Sequence, residues 1–433
     1  MHVYFSGIGG TGLGPLALIA NQAGFTVSGS DKQDSQYIHY LKSKGIQNIH
    51  IGQDYEAIAA VHAEKPIDWF IYTTAVTSEQ HNPPELTFCE EHAIRISKRD
   101  ELLNHIIETK KLKLIAIAGT HGKTTTTAMA VWLFKQLGLP VSYSVGAKIP
   151  FGDMGAYDPS SEYFVYEADE YARNFLAFKP YLSLITGIDW DHPDIYPTRQ
   201  EYEDAFQEFI NHSTSVVLWE NDSDKLHVPA LPQYSILSEH DKALQAITLP
   251  GEVNRRDALQ VVTAVQAITQ LPLQTLVEHI NRFPGVSRRF EQIAPNIYTD
   301  YAHTPPKIQG ALQVAKEVAG SEVVVVYEGL HNTRQHFIKD ELKHLFDDVK
   351  QLYIVPSYLA REDPNLPLLS PEDICRLLSE HAQQKTVPSQ LDENLKYAIK
   401  KHAENGDLVL CLTAGGGNSL DEWLRQNFIS AAQ

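Results

Sequence analysis

The sequence predicts an α/β protein of about three domains with mainly parallel sheets. Three observations lead there. Strand-like and helix-like segments alternate almost from end to end, the pattern of repeated βαβ units. The chain has 433 residues, against roughly 150 for an average domain. Two strands run directly into glycine-rich turns that open helices.

The first unit begins with the strand HVYFSG, turns at glycines into the helical PLALIANQAG and returns as the strand FTVSGSD. IDWFIYTTA is a further strand, followed by a polar loop with Pro83 and Pro84, and the amphipathic helix KRDELLNHIIETKK closes the unit. The second unit opens on KLKLIAIAG, an apolar run such as a strand buried on both faces requires, then the helical TTTTAMAVWLFKQLG. Strands follow at EYFVYEAD, YLSLITGI and SVVLWEND. The stretch from Asn221 to Gly251 reads as irregular, because Pro229, Pro232 and Pro250 break any long element. A helix over residues 257–269 and a second ending near Phe283 complete the unit. The third unit runs NIYTDYA, helix, EVVVVYE, helix, QLYIVP, two helices, DLVLCLTA and a final helix. The expected domains are 1–108, 109–285 and 286–433.

Hydrophobic residues make up 43% of the chain and charged residues 21%, too apolar for disorder. A net charge of −18 argues against non-specific binding to nucleic acid or an anionic membrane, which needs a basic face. Local phosphate sites stay open, since backbone amides and single cations build those. Cys89, Cys375 and Cys411 are too few and scattered for a disulfide framework or a CxxC metal cluster. No apolar run approaches the ~18 residues of a membrane span, and the N-terminus enters a strand without a basic segment before it. The expectation is a reduced, cytoplasmic protein with no nucleic-acid or membrane partner.

Gly7-Ile8-Gly9-Gly10-Thr11-Gly12 is a G-x-G-x-x-G between strand and helix, with Asp31 lying 19 residues beyond Gly12 at the next strand's end. Glycines there permit a tight turn, the helix N-terminus favours a pyrophosphate, and the acid can bond a ribose hydroxyl. Alone, the motif fits a nicotinamide-dependent dehydrogenase, another nucleotide diphosphate, or a turn that merely packs strand on helix. Gly119-Thr120-His121-Gly122-Lys123-Thr124-Thr125 also joins a buried strand to a helix. It is shorter than G-x-x-x-x-G-K-[ST], but the physics survives. Amides and helix dipole hold phosphate oxygens, Lys123 neutralises charge on them, and the Thr124 hydroxyl can ligate Mg²⁺. More oxygens stand in Glu167-Ala168-Asp169-Glu170, at a strand end, and in Asp189-Trp190-Asp191-His192 after YLSLITGI. Acids in such places also serve as helix caps and solvated turns.

Taken in order, several motifs resemble the Mur ligases, three-domain ATP-dependent amide-forming enzymes of peptidoglycan synthesis. They are GIGGTG with VSGSD, AGTHGKTTTT, EADEY, DWDHPDIY, NDSD, GEVNRRDAL, FPGVSRRFE, TDYAHTPPKI and a terminal TAGGGN. The resemblance spans essentially the whole chain and stands nearest the alanine-adding branch, with the murein-peptide branch next. It implies an N-terminal Rossmann-like domain that binds UDP through Gly7, Gly9, Gly10, Thr11, Gly12 and Asp31. It implies a central P-loop-type domain that holds ATP on Gly119, Thr120, His121, Gly122, Lys123, Thr124 and Thr125, with Thr124, Glu167 and His192 around Mg²⁺. The third domain is then Rossmann-like as well.

Asn254 matches an adenine-site asparagine, or else caps the helix starting near Arg255. Arg289 matches a nucleotide-reaching arginine, and Asp300, Tyr301 and His303 match a D-Y-x-H segment, so Asn254, Arg289, Asp300 and Tyr301 join the implied ATP site. Arg334 matches an arginine associated with substrate or acyl phosphate. Plain roles stay open beside these, as surface ion pairs for the arginines and core packing for Tyr301. The implied catalytic groups are Lys123, His303 and Arg334. The implied substrates are ATP, UDP-N-acetylmuramate and L-alanine or a related amino acid or peptide, handled by a monomer or weak homodimer.

Several positions depart from the family pattern. Gly187 replaces the asparagine of T-N-I, Val253 the histidine of a His-Asn pair, and Asp257 a second asparagine. TDYAHTPPK is closer to the diaminopimelate- and lysine-adding enzymes, although no D-N-P-R segment accompanies it. Residues 329–334 read GLHNTR in place of P-H-R-Y-T-R. Two readings outside the ligase class remain at this point, an NAD-dependent oxidoreductase and a non-catalytic nucleotide-binding regulator. The first leaves GTHGKTTTT and DWDH unexplained.

Overall fold

The strand HVYFSG is buried along its whole length, as the central strand of a sheet covered on both faces must be. In the computed structural model, which describes residues 1–73, 76, 82–192, 195–229, 231–359, 362–415 and 418–429, it is β1 (His2–Ser6). Thr74 and Ala75 of IDWFIYTTA, Pro193 and Asp194 of DWDHPDIY, and Gly416 and Gly417 of TAGGGN lie outside the described residues.

The first sheet also holds β2 (Thr26–Asp31), β3 (Ile49–Ile51), β4 (Trp69–Tyr72) and β5 (Arg95–Lys98). All are parallel, in the order β3-β2-β1-β4-β5. The order reverses between β1 and β4, so ligands are expected outside the carboxyl end of β1, where Gly7 begins.

The second sheet contains β6 (Lys113–Ala118), β7 (Ser142–Ser144), β8 (Gly155–Ala156), β9 (Tyr163–Glu167), β10 (Leu182–Ile185), β11 (Ser215–Trp219) and β12 (Tyr234–Leu237). Its order is β12-β11-β10-β6-β9-β7-β8, parallel except for the β7–β8 pair. β12 corrects the reading of 221–251 as irregular: Val216 pairs with Tyr234 and Trp219 with Leu237 along the edge of β11. Pro229 and Pro232 precede this strand rather than interrupt it, which an edge position tolerates. The same stretch also holds most of the helix Glu220–Lys225 and the whole of the helix Lys242–Ala246. The helix expected from residue 257 begins earlier, spanning Glu252–Thr269 after Gly251.

The third sheet is built from β13 (Glu291–Ala294), β14 (Ile297–Asp300), β15 (Val324–Leu330), β16 (Gln351–Tyr358), β17 (Thr386–Pro388) and β18 (Val409–Leu412). It runs β13-β14-β18-β15-β16-β17, with only the β13–β14 hairpin antiparallel. The described residues form two compact units, 1–247 with 256–283, and 248–255 with 284–433. In the first, one continuous apolar core runs from Leu16 and Ile19 through Leu103 to Tyr166, Phe175 and Phe206, so its two sheets share an interior. No helix among the described residues is long and apolar enough to cross a membrane.

Candidate active site

The first glycine turn is fixed by its own backbone. Gly7 and Ile8 donate their amides to the Ser30 carbonyl at 2.8 and 3.0 Å. Asp31 accepts from the Gly9 amide at 2.8 Å through Oδ2, so it spends one oxygen bracing the turn. Thr11 and Gly12 then face a cleft ahead of the helix Gly14–Gln22.

The second glycine turn leaves β6 at the centre of its sheet. Gly122, at φ +80°, caps the helix Lys123–Gln136 in a left-handed conformation that suits glycine. Thr120 donates its amide to the Gly187 carbonyl at 2.9 Å and its hydroxyl to the Asp189 carbonyl at 2.7 Å, tying the loop to the segment after β10. Gly187 itself has φ +146°, a conformation closed to asparagine, so the departure from T-N-I goes with the local backbone.

Lys123 Nζ donates to the Gly119 carbonyl at 2.6 Å and to both oxygens of Glu170, at 3.0 and 2.7 Å. Glu170 is only 1% exposed. Burial pushes its carboxyl above the usual range, while Lys123 works against that shift. Thr124 donates to Glu167 Oε1 at 2.9 Å, and Glu167 Oε2 accepts from the Gly146 amide at 3.0 Å. His192 turns toward Glu170, with Nε2 3.8 Å from Oε1. The structure thus brings Thr124 together with Glu167 and sets His192 beside Glu170. Among the described residues no group of three acids, histidines or cysteines could hold a metal alone. Mg²⁺ asks less, since it keeps waters and phosphate oxygens and takes one or two protein oxygens. The Thr124–Glu167 pair fits that demand.

Sequence reasoning missed Arg99, and it named Asp169 only as one acid of the 167–170 cluster. Arg99 lies 3.5 Å from Asp169 and 3.4 Å from Asp100. Thr11, Gly12, Arg99, Lys123, Glu167 and Asp169 line one cleft of about 180 Å³. The two glycine turns, more than a hundred residues apart in the chain, therefore open onto the same space.

The second unit gathers most of the remaining candidates around Tyr301. Asp300 accepts from the Phe290 amide at 2.8 Å, and the Arg288 and Arg289 guanidinium groups lie 4.5 and 5.4 Å from the Tyr301 ring centre. His303 Nδ1 lies 2.9 Å from the Tyr301 carbonyl. A carbonyl only accepts, so Nδ1 carries the proton and Nε2 keeps its lone pair. Burial, with the charges of Lys307, Arg334 and Arg289 adding to it, pushes the His303 pKa down to about 3. This imidazole is neutral. Arg334 lies on the short helix Asn332–Ile338. Asn254 is the third residue of its helix, which begins at Glu252, and its Nδ2 donates to the Pro250 carbonyl at 2.7 Å, so it does not sit at the N-cap position.

Comparison with known proteins matches three family models. These are the Mur ligase family catalytic domain at residues 2–111, the Mur ligase middle domain at 117–247 and the Mur ligase glutamate ligase domain at 288–415. The UDP-N-acetylmuramate–L-alanine ligase of Carboxydothermus hydrogenoformans is 30% identical over 97% of this chain and 95% of its own length. That of Clostridium perfringens is 27% identical over 95% of each chain. The solved UDP-N-acetylmuramate–alanine ligase of Thermotoga maritima superposes with a TM-score of 0.75 at 24% identity, covering 98% of both chains. At that identity the superposition speaks for the fold.

Proposed function

The chain belongs to the Mur ligase family, and from that premise we propose that it is an ATP-dependent acid–amino-acid ligase joining L-alanine to UDP-N-acetylmuramate. The observation that carries this reading is the shared cleft, in which the turn suited to a UDP pyrophosphate meets Lys123 of the ATP loop. The relatives of this length are named for that reaction.

A carboxylate resists amines because oxide is a very poor leaving group. In the proposed sequence the substrate carboxylate oxygen attacks the γ-phosphorus of ATP, the bond to the β-phosphate oxygen breaks and ADP leaves. The alanine amine then attacks the acyl phosphate carbon, the C–O bond to phosphate breaks, and the amine gives up a proton to solvent. Catalysis is mostly positioning and charge neutralisation. Lys123 would neutralise the transferring phosphoryl group, and buried Glu170 would hold that ammonium in place. Thr124 and Glu167 would hold Mg²⁺, with His192 nearby, and the ion when bound supplies further positive charge to the phosphates. Asp31 and the Gly7–Gly12 turn would take UDP. Asn254, Arg289, Asp300 and Tyr301 would take the nucleoside side of ATP. His303, neutral, would accept a hydrogen bond from the amine through Nε2, and Arg334 would meet the acyl phosphate.

We assign the domains 1–108, 109–285 and 286–433, a cytoplasmic setting and a monomer or weak homodimer as part of the same reading. A phosphate-release panel tests it. Release from ATP is expected with UDP-N-acetylmuramate and L-alanine together and not with either alone. Release with the murein tripeptide and not with alanine would move the protein to the murein-peptide branch. No release with any amine would contradict ligase chemistry.

A further inference from the structure

We propose that Asp257 is a positioning residue for the nucleotide, lying beneath the phosphate loop as a neutral acid in the binding-competent enzyme, so that its ionisation weakens nucleotide binding. This rests on the reading of residues 119–125 as the ATP loop. The geometry is close. A Cβ added to Gly122 would lie 2.8 Å from Asp257 Oδ2 and 3.1 Å from Oδ1, so the carboxyl packs directly on the backbone that opens the loop's helix. Asp257 is 2% exposed, and its Oδ2 has no hydrogen-bond partner among the described residues. An ionised carboxylate in such a place would be costly, whereas the acid form can stay neutral.

The neighbours offer little compensation. On the facing helix, Thr126 assists the charged form, but its hydroxyl also donates to the Gly122 carbonyl at 3.0 Å. Lys123 begins that helix with its ammonium engaged by Glu170. His121 stands in the loop just before Gly122, and the segment after β10 presents Thr186, which bears no charge. On Asp257's own helix, Arg256 also favours the charged form but is paired with Glu239 at 2.9 Å and stacked 4.2 Å over Trp219. Burial wins. It lifts the Asp257 carboxyl up to about 7, within the range where an enzyme works. Above that pH a negative charge would stand behind amides that are meant to face phosphate, and like charges in a buried setting repel strongly.

Nucleotide binding separates this from the identity of the amino acid. The probe is Mg·ADP, whose phosphates stay ionised across the range, titrated calorimetrically against the full-length protein from pH 6.5 to 8. If only the protonated form binds, Kd should rise about 10-fold over that interval, one decade per pH unit beyond the pKa. Asp257→Asn and Asp257→Ala, each verified as folded by circular dichroism, should bind with a flat profile. A merely structural Asp257 would change the pH dependence of Tm in these variants and leave their Kd profile like the parent's. A constant Kd in the parent protein, or a variant that keeps the rise, overturns the proposal, and the parent measurement decides even where neither variant folds. Absence of Mg·ADP binding at every pH overturns the loop assignment itself.

Discussion

Glu167, Asp169 and Glu170 come from one tetrapeptide yet serve three different partners: Thr124, Arg99 and Lys123. The sequence showed a cluster of acids after a strand and a lysine in a glycine loop. It could not say which acid met the lysine, because the chain leaves β9 at Glu167 and turns before Glu170. Lys123 carries the sharpest residue-level expectation. Lys123→Ala removes a charge that acts on the transferring phosphoryl group and should lower kcat on the order of 10² or more. Steady-state phosphate release measures it, and an unchanged kcat would contradict the role. His303 makes a second expectation, through stability. Its folded pKa of about 3 lies below the ordinary 6.5, so the folded protein binds fewer protons than the unfolded chain between those values. The stabilisation is whole above pH 6.5 and is lost as pH falls toward 3. A Tm series from pH 7 to 4 should fall, and His303→Gln should flatten that fall.

At the level of elements, strands set in apolar runs were readable, even four-residue ones such as β10 and β18, and short strands outside such runs were not. β1, β6 and β15 announce themselves as continuous hydrophobic runs, because parallel strands are covered on both faces. β7, β8 and β12 have four residues or fewer, too few for any period, and exist because a neighbouring strand edge was there to pair with. Both glycine turns were legible for a related reason, since each needs residue types that little else requires. Gly187 shows the reverse case. From sequence it looked like a lost functional asparagine, while the fold shows a backbone at φ +146°. Gly187→Asn, which restores the family pattern, should therefore destabilise the protein by about 1–3 kcal/mol. Urea denaturation at neutral pH measures this, and a neutral or stabilising effect would show that the strain argument is wrong.

Across the whole molecule, a charge of −18 coexists with local concentrations of cations, at Lys123 and Arg99 in one unit and at Arg288, Arg289, Lys307 and Arg334 in the other. The net acidity argues against non-specific polyanion binding, while these local groups of cations leave room for small phosphates. The shared core of the first unit is what holds its two glycine turns against one cleft. Phe175, fully buried and stacked on Phe209 at 4.7 Å, is central to it. Phe175→Ala should cost about 3–5 kcal/mol in denaturant unfolding of the full chain. What the sequence could not convey at this scale was that Arg99, outside both glycine motifs, would stand between them.

The central claim, amide formation through an acyl phosphate, is open to one direct measurement. UDP-N-acetylmuramate carrying ¹⁸O in its carboxylate is turned over with ATP and L-alanine, and the released inorganic phosphate is analysed by mass. Attack of the carboxylate on the γ-phosphorus, then C–O cleavage by the amine, predicts one ¹⁸O in each phosphate released. Phosphate without label, formed alongside product, would contradict the account.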